Sequence, residues 1–425
     1  MEKLFSVFDE MKRNYETELL SSNHNKMKDL QLRALEQYSL LPVPNRREKI
    51  WNQLFKQVIN ESSLQLASEP KIVNNHEKSK KGKVSGTVQI SEDTVEFWLE
   101  ENLLSNGVVL CDLYSAAEQH SDLLNDVLKK NETGFNKISA ITAGLGRHGF
   151  LLYIPKQLKV EKPIEITALV KKAKIFLPAC GFIILGEQAS ASIILRYTSE
   201  LSDKDSAVLS LNVLASVGEA ADLQFLEIQK LGKKVWNFVT EKSILGKQAN
   251  LERFMLDSGG TVNKRSFSVD LREEGGQATV TGVYKPQADQ VYIYDTEQNH
   301  LASKTSSNLF FSGVLKNDAY SLWKGNVYVA EGTRGADGFQ INKNLLLDEA
   351  AHAESIPGLE ILADDVRCSH AVTLSSVDAE QMFFLESRGI GPVEAEELIV
   401  NGFLEAASNR MKDKALKEII LDALK

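Results

Sequence analysis

Cysteine is scarce in this chain of 425 residues: only Cys111, Cys180 and Cys368 occur, and no two of them form a CxxC pair. Such a small, odd number is unlike the disulfide framework of a secreted protein and fits a reducing compartment, so we expect a cytoplasmic location. The acidic residues Glu2 and Asp9 argue against a secretory signal or an organellar transit peptide. Long apolar runs are also missing. No stretch approaches the ~20 residues that a membrane-spanning helix needs, so we expect no association with membranes.

Positive charge is in deficit. The sequence has 49 lysines and arginines against 58 aspartates and glutamates, which gives a net charge of −9. This balance argues against a general nucleic-acid binder. Common catalytic motifs are absent too: there is no Walker A, HExxH or GxSxG motif, and residues 144–146 (Gly-Leu-Gly) are too short for a dinucleotide fingerprint. We therefore expect a platform for other proteins rather than an enzyme.

What the sequence does contain is a recurring phrase of Gly, two further residues and Ala. It occurs at residues 186–189, 218–221, 246–249 and 275–278. A fifth, degenerate copy at residues 316–319 lacks the glycine. The alanines are 32, 28, 29 and 41 residues apart, and repeats of this length are typical of stacked supersecondary units. We expect the glycine to supply a turn with positive φ and the alanine to fit inside a tight corner.

The residues after each alanine indicate strands. Leu223 and Phe225 alternate with polar residues after Ala221, and Val280 lies between two threonines after Ala278. A period of two with β-branched and aromatic residues is the strand signal. The sequence therefore predicts a mainly β protein with α ends: a right-handed parallel β-helix flanked by N-terminal and C-terminal helical domains. The alternative is a β-sandwich, although sandwich turns usually come every 8–12 residues or about that, without a shared phrase.

Changes of period divide the chain into three regions. We predict an N-terminal helical region at residues 1–135 with a polar linker near 57–90, a β-helix core at 136–375 and a C-terminal helical domain at 376–425. In the first region, the spacing of apolar residues such as Val95 and Trp98 predicts helices within residues 92–130.

The C-terminal domain shows three helix signals. Asp378 can cap the first helix, and Pro392 fits the first turn of a second helix, which we expect to stop at residues 401–402. A strong apolar stripe predicts a third helix, and we expect this stripe to pack within the helical domain. Its members are Leu416, Ile419, Ile420 and Leu424.

Few side chains offer metal or redox chemistry. Cys368 and His370 form the only close cysteine–histidine pair, and alternate residues of a strand point to the same side, so both could serve one site. Sulfur and imidazole suit iron and iron–sulfur chemistry. A buried cysteine beside a solvent-facing histidine fits the spacing better, because one pair does not complete a coordination sphere. The polar run around His300 and Thr305 similarly favours a hydrogen-bonded loop over a site.

Four phrases resemble the SufB/SufD family of the SUF iron–sulfur assembly system, and they occur in the family's order. They are residues 149–156 with 161–164 at the start of the β-helix, 363–370 at its end, and 384–390 and 395–403 in the C-terminal helices. Within the family, the chain resembles the shorter SufD branch. Cys368-Ser369-His370 stands where SufB-type chains usually have an acidic, histidine-containing run, and Asn342 lies where they place a scaffold cysteine. The family usually follows the histidine with glycine, whereas this chain has Ala371.

This resemblance implies a non-enzymatic scaffold subunit of the SUF complex. It implies a SufB-type paralogue as partner in a β-helix heterodimer and a SufC-type ABC ATPase bound by the C-terminal helices, with a homodimer as an option for the isolated chain. No cofactor is expected to bind tightly, and an iron–sulfur cluster or iron would bind transiently in the assembled complex. The family implies His370 as a transient ligand at the SufB interface, with Cys368 as the second candidate. The region implied for ATPase docking contains Phe384, Arg388, Gly389, Ile390, Leu398 and Phe403.

Two alternative functions stay open. A SufB-like scaffold would carry the cluster on its own residues, and Asn342 in place of a cysteine argues against it. A β-helix polysaccharide lyase or hydrolase needs clustered carboxylates along one groove. The sequence has no aspartate repeated in register with the recurring phrase, which argues against the enzyme.

Overall fold

Each turn of the chain contributes one strand to each of two facing sheets, so the strands stack into a parallel β-solenoid. The structure, a computed structural model, describes residues 2–21, 26–44, 51, 64–75, 83–131 and 136–424. In these ranges, 21 strands form a ten-stranded sheet A and an eleven-stranded sheet B. The predicted fold class, a parallel β core with helices at both ends, is confirmed.

Sheet A has the spatial order β20 (His352–Ile361), β18 (Tyr320–Val329), β16 (Val291–His300), β14 (Val262–Leu271), β12 (Val235–Leu245), β10 (Ala207–Val217), β8 (Ile175–Leu185), β6 (His148–Ile154) and β5 (Val109–Cys111), with β1 (Gln65–Leu66) beside β8. Sheet B has the order β2 (Lys71–Asn74), β4 (Thr94–Leu99), β3 (Gly86–Ile90), β7 (Ile164–Val170), β9 (Ser190–Ser199), β11 (Asp222–Leu231), β13 (Asn250–Gly259), β15 (Gln277–Tyr284), β17 (Ser306–Leu315), β19 (Ala336–Leu346) and β21 (Val366–Ser376).

Helices cover the outer faces of both sheets. Six precede the solenoid or its first turns: α1 (Glu2–Ser21), α2 (Lys26–Leu40), α3 (Glu101–Ser105), α4 (Leu113–Gln119), α5 (Ser121–Lys129) and α6 (Lys137–Leu145). Three follow it: α7 (Ala379–Ser387), α8 (Pro392–Ser408) and α9 (Lys414–Leu424). Phe8 of α1 and Ile141 of α6 belong to one apolar cluster with Phe176 and Trp236 on the outer face of sheet A. None of the helices in the described ranges combines the length and the apolar composition needed to cross a bilayer.

The first four copies of the recurring phrase lie at the corners that precede the strands of sheet B. In the first three copies the third residue, not the glycine, adopts positive φ: 55° at Gln188, 53° at Ala220 and 54° at Gln248. In the fourth copy the glycine itself adopts it, as predicted, with a φ of 79° at Gly275. In the first copy, glycine is needed because the backbones of successive solenoid turns are in close contact at this corner, which leaves no room for a side chain. A Cβ added to Gly186 would lie only 2.6 Å from the backbone nitrogen of Lys156 in the preceding turn.

The strand register corrects two copies of the phrase. Ala278 pairs with Leu251 rather than with Ala249, so the fourth copy is offset by two residues. The fifth copy precedes β18 of sheet A and is not a corner of sheet B. The register also defines which residues of successive turns are equivalent: Ser190 corresponds to Asp222, and Asn250 corresponds to Gln277. Successive turns are therefore unequal in length, and the loops at the corners absorb the difference.

The N-terminal third is less helical than predicted. Strands β1, β2 and β3 fall in the stretch predicted as a polar linker near 57–90, of which residues 57–63 and 76–82 lie outside the described residues. The helical interpretation of Val95 and Trp98 is wrong, because both belong to β4. Burial alternates along β4, with Val95 and Phe97 inside, and this alternation is the strand period. The hairpin of β3 and β4 pairs with β7 and extends sheet B at its first end.

The C-terminal helices follow the sequence at their starts and depart from it in their packing. The Asp378 carboxylate accepts the backbone N–H of Glu380 and caps α7, as predicted. Helix α8 begins at Pro392 as predicted but continues through residues 401–402 to Ser408. Its buried Leu404 and Ala407 offset the roughly 1 kcal/mol that a glycine costs inside a helix.

The stripe of α9 packs against α8, within the helical region as predicted, and also against sheet B, which was not predicted. Leu416 and Ile420 are buried in a cluster with Leu226, Phe254 and Phe310, which lie on the outer face of sheet B. Successive side chains of a strand point to opposite faces of the sheet. The neighbours of these three residues point into the solenoid, so the three side chains point outward. The last helix therefore covers the outer face of sheet B, and the same cluster also includes Leu404 and Ala407 of α8.

A charged cluster is buried in the middle of the solenoid interior. It consists of Glu227, Glu241, Arg253, Asp257 and Arg265, all of them about 2% exposed or less. The guanidinium of Arg265 lies 2.8 Å from Asp257 Oδ1, 3.2 Å from Glu227 Oε1 and 3.3 Å from Glu241 Oε2. Residues from four strands thus meet around two arginines, and we name this group the interior charge cluster.

Candidate functional site

The solenoid is open at its last turn. Strands β20 and β21 stand at the ends of sheets A and B, and each pairs on one side only within the described residues. Both strands therefore present a row of backbone N–H and C=O groups to solvent. Unpaired edge strands are normally covered, because they are ready to pair with another chain.

Cys368 and His370 lie on β21 at this open end. The register pairs Cys368 with Gly338 and His370 with Gln340, and Gln340 is fully buried in the interior. A Cβ added to Gly338 would lie 3.3 Å from Cys368 Sγ. The thiol therefore rests on the solenoid interior, and His370, two residues further along, projects from the same face of the strand. His370 is exposed and Cys368 is half-buried.

Partial burial raises the pKa of the Cys368 thiol, and a hydrogen bond with the Gly338 backbone opposes the rise only in part. Thiols are weak ligands and nucleophiles until they lose the proton. Cys368 is therefore a protonated thiol at neutral pH in this chain alone, and a bound metal or a nearby positive charge would be needed to deprotonate it.

His300 lies beneath this pair and is fully buried. Its Nδ1 is 2.8 Å from Thr305 Oγ1 and its Nε2 is 2.8 Å from Ser307 Oγ. Burial lowers the pKa of His300 to about 4, so the ring is neutral and both of its nitrogens are occupied. His300 is the last residue of β16 rather than part of a loop, but its ring is hydrogen-bonded as predicted and contributes no free ligand.

The open end offers an incomplete set of metal ligands. Among the described residues, no group of three or more His, Cys, Asp or Glu side chains is arranged to hold a metal ion. Cys368 and His370 supply two donors at most, and tetrahedral sulfur–nitrogen sites need four. The role of His370 as a transient ligand stays a prediction, and any cluster at this end would need ligands from outside the chain.

Apolar side chains surround the pair at the open end. Leu359 and Ile361 of β20 are 38% and 39% exposed, and Val372 and Leu374 of β21 are 43% and 55% exposed. Inside the solenoid, the equivalent positions of each earlier turn are covered by the next turn. At the last turn these side chains stay exposed, and a partner that continued the solenoid could bury them. We name these four residues the end patch.

The residues implied for ATPase docking lie on α7, on α8 and on the turn between these helices. Phe384 is 55% and Leu398 is 47% exposed. Arg388 stacks over the Phe384 ring at 4.7 Å, and Gly389 takes a φ of 86° in the turn after the helix. Ile390 and Phe403 are half-buried, and Phe403 packs toward sheet B. The set therefore divides into exposed residues, which include Phe384 and Leu398, and half-buried residues, which include Ile390 and Phe403.

Sequence reasoning missed two more outward residues. Phe383 is 72% and Val393 is 71% exposed, which makes them the most exposed large apolar side chains of α7 and α8. The signal was present, since Phe383 adjoins Phe384 on a nine-residue helix without a buried residue. A helix without a buried residue that exposes two adjacent aromatic side chains is typical of a docking element.

Two protein families match this chain, and together they cover the N-terminal region and most of the β-solenoid. A family described as "SUF system FeS cluster assembly, SufBD core domain" matches residues 172–403, and one described as "SufBD protein N-terminal region" matches residues 8–166. The core match begins just before β8 and ends within α8. The chain belongs to the SufBD family. The resemblance predicted from four short phrases is confirmed, and this SufBD protein is a member of the SUF iron–sulfur cluster assembly system.

Similar proteins include both branches of the family. "Iron-sulfur cluster assembly protein SufD" of Bacillus subtilis (strain 168) is 27% identical over 414 residues, which cover 94% of this chain and 93% of that protein. "Iron-sulfur cluster assembly protein SufB" of the same organism is 26% identical over 323 residues, which cover 75% and 69%. An "Iron-sulfur cluster assembly SufBD family protein" of Staphylococcus epidermidis (strain ATCC 12228 / FDA PCI 1200) is 25% identical over 320 residues, with the same coverage. The similarity to SufD thus extends over nearly the whole of both chains.

Proposed function

We propose that this SufBD protein is a non-catalytic subunit that pairs end to end with a SufB-type paralogue and binds a SufC-type ATPase through α7 and α8. The observation that carries the proposal is the open end. Strands β20 and β21 offer 10 and 11 residues of edge to a partner, and side chains of the same two strands form the end patch. Edge pairing supplies backbone hydrogen bonds, and burial of the patch supplies hydrophobic free energy.

Another solenoid end is the best complement for this surface. It would offer two edge strands at the same separation, so that both sheets could continue across the junction. A second copy of this chain satisfies the same condition, and a homodimer is therefore the expected state of the isolated chain. In the assembled complex, the SufB-type partner would replace that second copy.

The nascent cluster or iron is cargo in this proposal. His370 would supply one ligand at the junction, Cys368 is the weaker second candidate, and the partner would supply the rest. An imidazole suits cargo that must later leave, because it binds iron as a neutral ligand and is lost on protonation. The three free cysteines suit a reducing cytoplasm as the compartment.

The ATPase would act on the same junction. Helix α7 begins three residues after the end of β21, so a force on α7 reaches the edge strand through a very short connection. ATP hydrolysis in the partner could then move the two solenoid ends relative to each other and release the cargo.

Co-expression with SufB-type and SufC-type proteins tests the pairing. Leu374→Glu places a carboxylate in the end patch, where pairing would desolvate it, and we expect loss of the SufB-type protein from the purified complex with the ATPase retained. Leu104→Glu is the matched control, because Leu104 is 47% exposed on α3, far from the open end. Unchanged capture of the SufB-type protein by the Leu374→Glu variant would refute the proposed junction.

A further inference from the structure

A groove with a volume of about 470 Å³ runs along the outer face of sheet A, beside α6. Its lining comes from β8 to β18 and includes Lys242, Lys264, Asp295 and Glu297. It opens on the side of the solenoid, and neither β20, β21 nor the C-terminal helices contribute to its lining. What the groove could bind is therefore independent of the proposed junction and of the ATPase site.

Lys264 is the unusual residue of the groove. It is 5% exposed, and its register neighbours on β12 and β16 are the buried Phe238 and Ile293. Its Nζ donates to Ser266 Oγ at 3.0 Å and lies 4.8 Å from the centre of the Trp51 ring. An ammonium has three N–H donors, so a hydroxyl and a ring face do not satisfy all of them, and the carboxylate of Asp295 on the neighbouring strand attracts the ammonium only from a distance.

The other two lysines of the groove are ion-paired. Lys242 Nζ lies 2.9 Å from Asp270, and Lys324 Nζ lies 3.7 Å from Asp295. Within the part of the chain that the structure describes, no carboxylate comes within ion-pair distance of Lys264. A buried charge is costly unless it is paired, and burial accordingly lowers the pKa of Lys264.

Further polar groups lie around this ammonium. The hydroxyl of Thr240, in register with Ser266, accepts from Asn136 Nδ2 at 3.3 Å and keeps its own proton free to donate. The Oδ1 of Asn212 is buried without a hydrogen-bond partner. Asp295 is in register with Ser266 on β16 and is paired with Lys324, and Glu297 lies two residues further along the same strand. These carboxylates would repel a second negative group, so the rest of a ligand there should be neutral or hydrogen-bond-donating.

We propose that this groove binds a small molecule that carries one oxyanion, a carboxylate or a phosphate, with the negative group against Lys264. The oxyanion accepts hydrogen bonds from the ammonium and from the hydroxyls of Thr240 and Ser266. The remainder of the molecule lies along sheet A toward Asp295 and Glu297. Nothing in this proposal requires the chain to be catalytic.

Thermal unfolding of the full chain tests the site with inorganic phosphate and acetate as separate probes. Each probe replaces chloride at constant ionic strength, because phosphate also stabilises proteins generally. We expect at least one probe to raise the Tm of the wild type by about 2 °C more than that of Lys264→Met, which removes the ammonium at nearly constant shape. Lys233→Met, at an exposed lysine paired with Asp203, should respond like the wild type. A phosphate response alone identifies phosphate as the ligand group, and an acetate response alone identifies a carboxylate.

A measurement without variants guards against misfolding of Lys264→Met. Reductive methylation followed by peptide mass spectrometry should modify Lys264 several-fold more slowly when the active probe is present, with Lys233 unchanged. Equal shifts in wild type and Lys264→Met for both probes would overturn the proposal. So would methylation of Lys264 that neither anion slows, and so would complete resistance of Lys264 without anions, because the groove would then be closed to small molecules.

Discussion

Glu241 and Glu227 face each other across the solenoid interior, and both contact the guanidinium of Arg253. With Asp257 and Arg265, the interior charge cluster sets three carboxylates against two guanidiniums. A net charge in a dry interior is costly, so we infer that the cluster holds one proton. Burial raises the pKa of Glu241 to about 8, and the charge of Glu227 adds to the rise. Glu227 stays ionised, because Arg253 and Arg265 outweigh its burial.

The first prediction concerns Glu241→Gln. A raised pKa means that the folded chain keeps a proton that the unfolded chain releases above its ordinary value of about 4.5. The free energy of unfolding should therefore fall as the pH rises from about 4.5 to about 8, with a slope of up to roughly 1.4 kcal/mol per pH unit. Glutamine keeps the neutral shape, so urea unfolding of the variant should lack this component of the slope.

Glu227→Gln is the matched control for this prediction. Here the substitution puts an amide in place of the ionised carboxylate that both Arg253 and Arg265 contact, and breaking these buried ion pairs should cost roughly 3–5 kcal/mol. If Glu241→Gln is as damaging as Glu227→Gln at neutral pH, the proton does not reside on Glu241.

The second prediction concerns cargo at the open end. His370→Ala should leave the complex with SufB-type and SufC-type partners intact but lower its iron and sulfide content, because one ligand is lost at the junction. Cys368→Ala should lower the content less or not at all, since the thiol is protonated. The measurement is iron and sulfide per complex after anaerobic purification, at matched subunit stoichiometry. Equal contents in wild type and His370→Ala would remove His370 from the mechanism.

The third prediction concerns the cover formed by α9. Ile420→Ala should reduce the free energy of unfolding by about 2–5 kcal/mol, because Ile420 is fully buried against sheet B. Leu421→Ala, on the same helix at a residue that is 42% exposed, should change it much less. Urea unfolding monitored by tryptophan fluorescence compares the two. Similar losses in both variants would mean that α9 does not pack on the solenoid in solution.

The fourth prediction concerns ATPase docking. Phe384→Asp should weaken binding of the SufC-type protein roughly tenfold or more, because an exposed aromatic of this kind acts as an anchor worth about 1.4 kcal/mol or more. Leu20→Asp, at a 71% exposed residue of α1, should bind as the wild type does. Affinities from calorimetry decide, and point variants are preferable to deleting residues 376–425, since deletion would also uncover sheet B.

Much of the fold could be predicted because the strand period is local information. Alternation of apolar and polar residues revealed the strands after Ala221 and Ala278, and Asp378 and Pro392 marked helix starts correctly. The misassigned β4 shows the limit of this reasoning. Val95 and Trp98 are three residues apart, which fits a helix, and only pairing with β3 makes the two-residue period decisive.

The interior charge cluster and Lys264 could not be predicted, for a different physical reason. Arg253 and Arg265 look like surface residues in the sequence, because charged side chains are rarely buried. Their inward positions follow from the register, and their partners come from strands up to 38 residues away. The open end raises the same difficulty, since a sequence pattern for β21 does not reveal that no turn follows it.

The cover formed by α9 has a consequence for synthesis of the chain. The turns of the solenoid stack in chain order, so they can form one after another as the chain leaves the ribosome. Leu226, Phe254 and Phe310 then stand in completed strands while the helix that shields them is still unmade, because α9 ends at Leu424. The nascent chain therefore carries a water-exposed apolar stripe until α9 has been synthesised, and a stall before Lys414 leaves a folded solenoid with this stripe exposed to other chains.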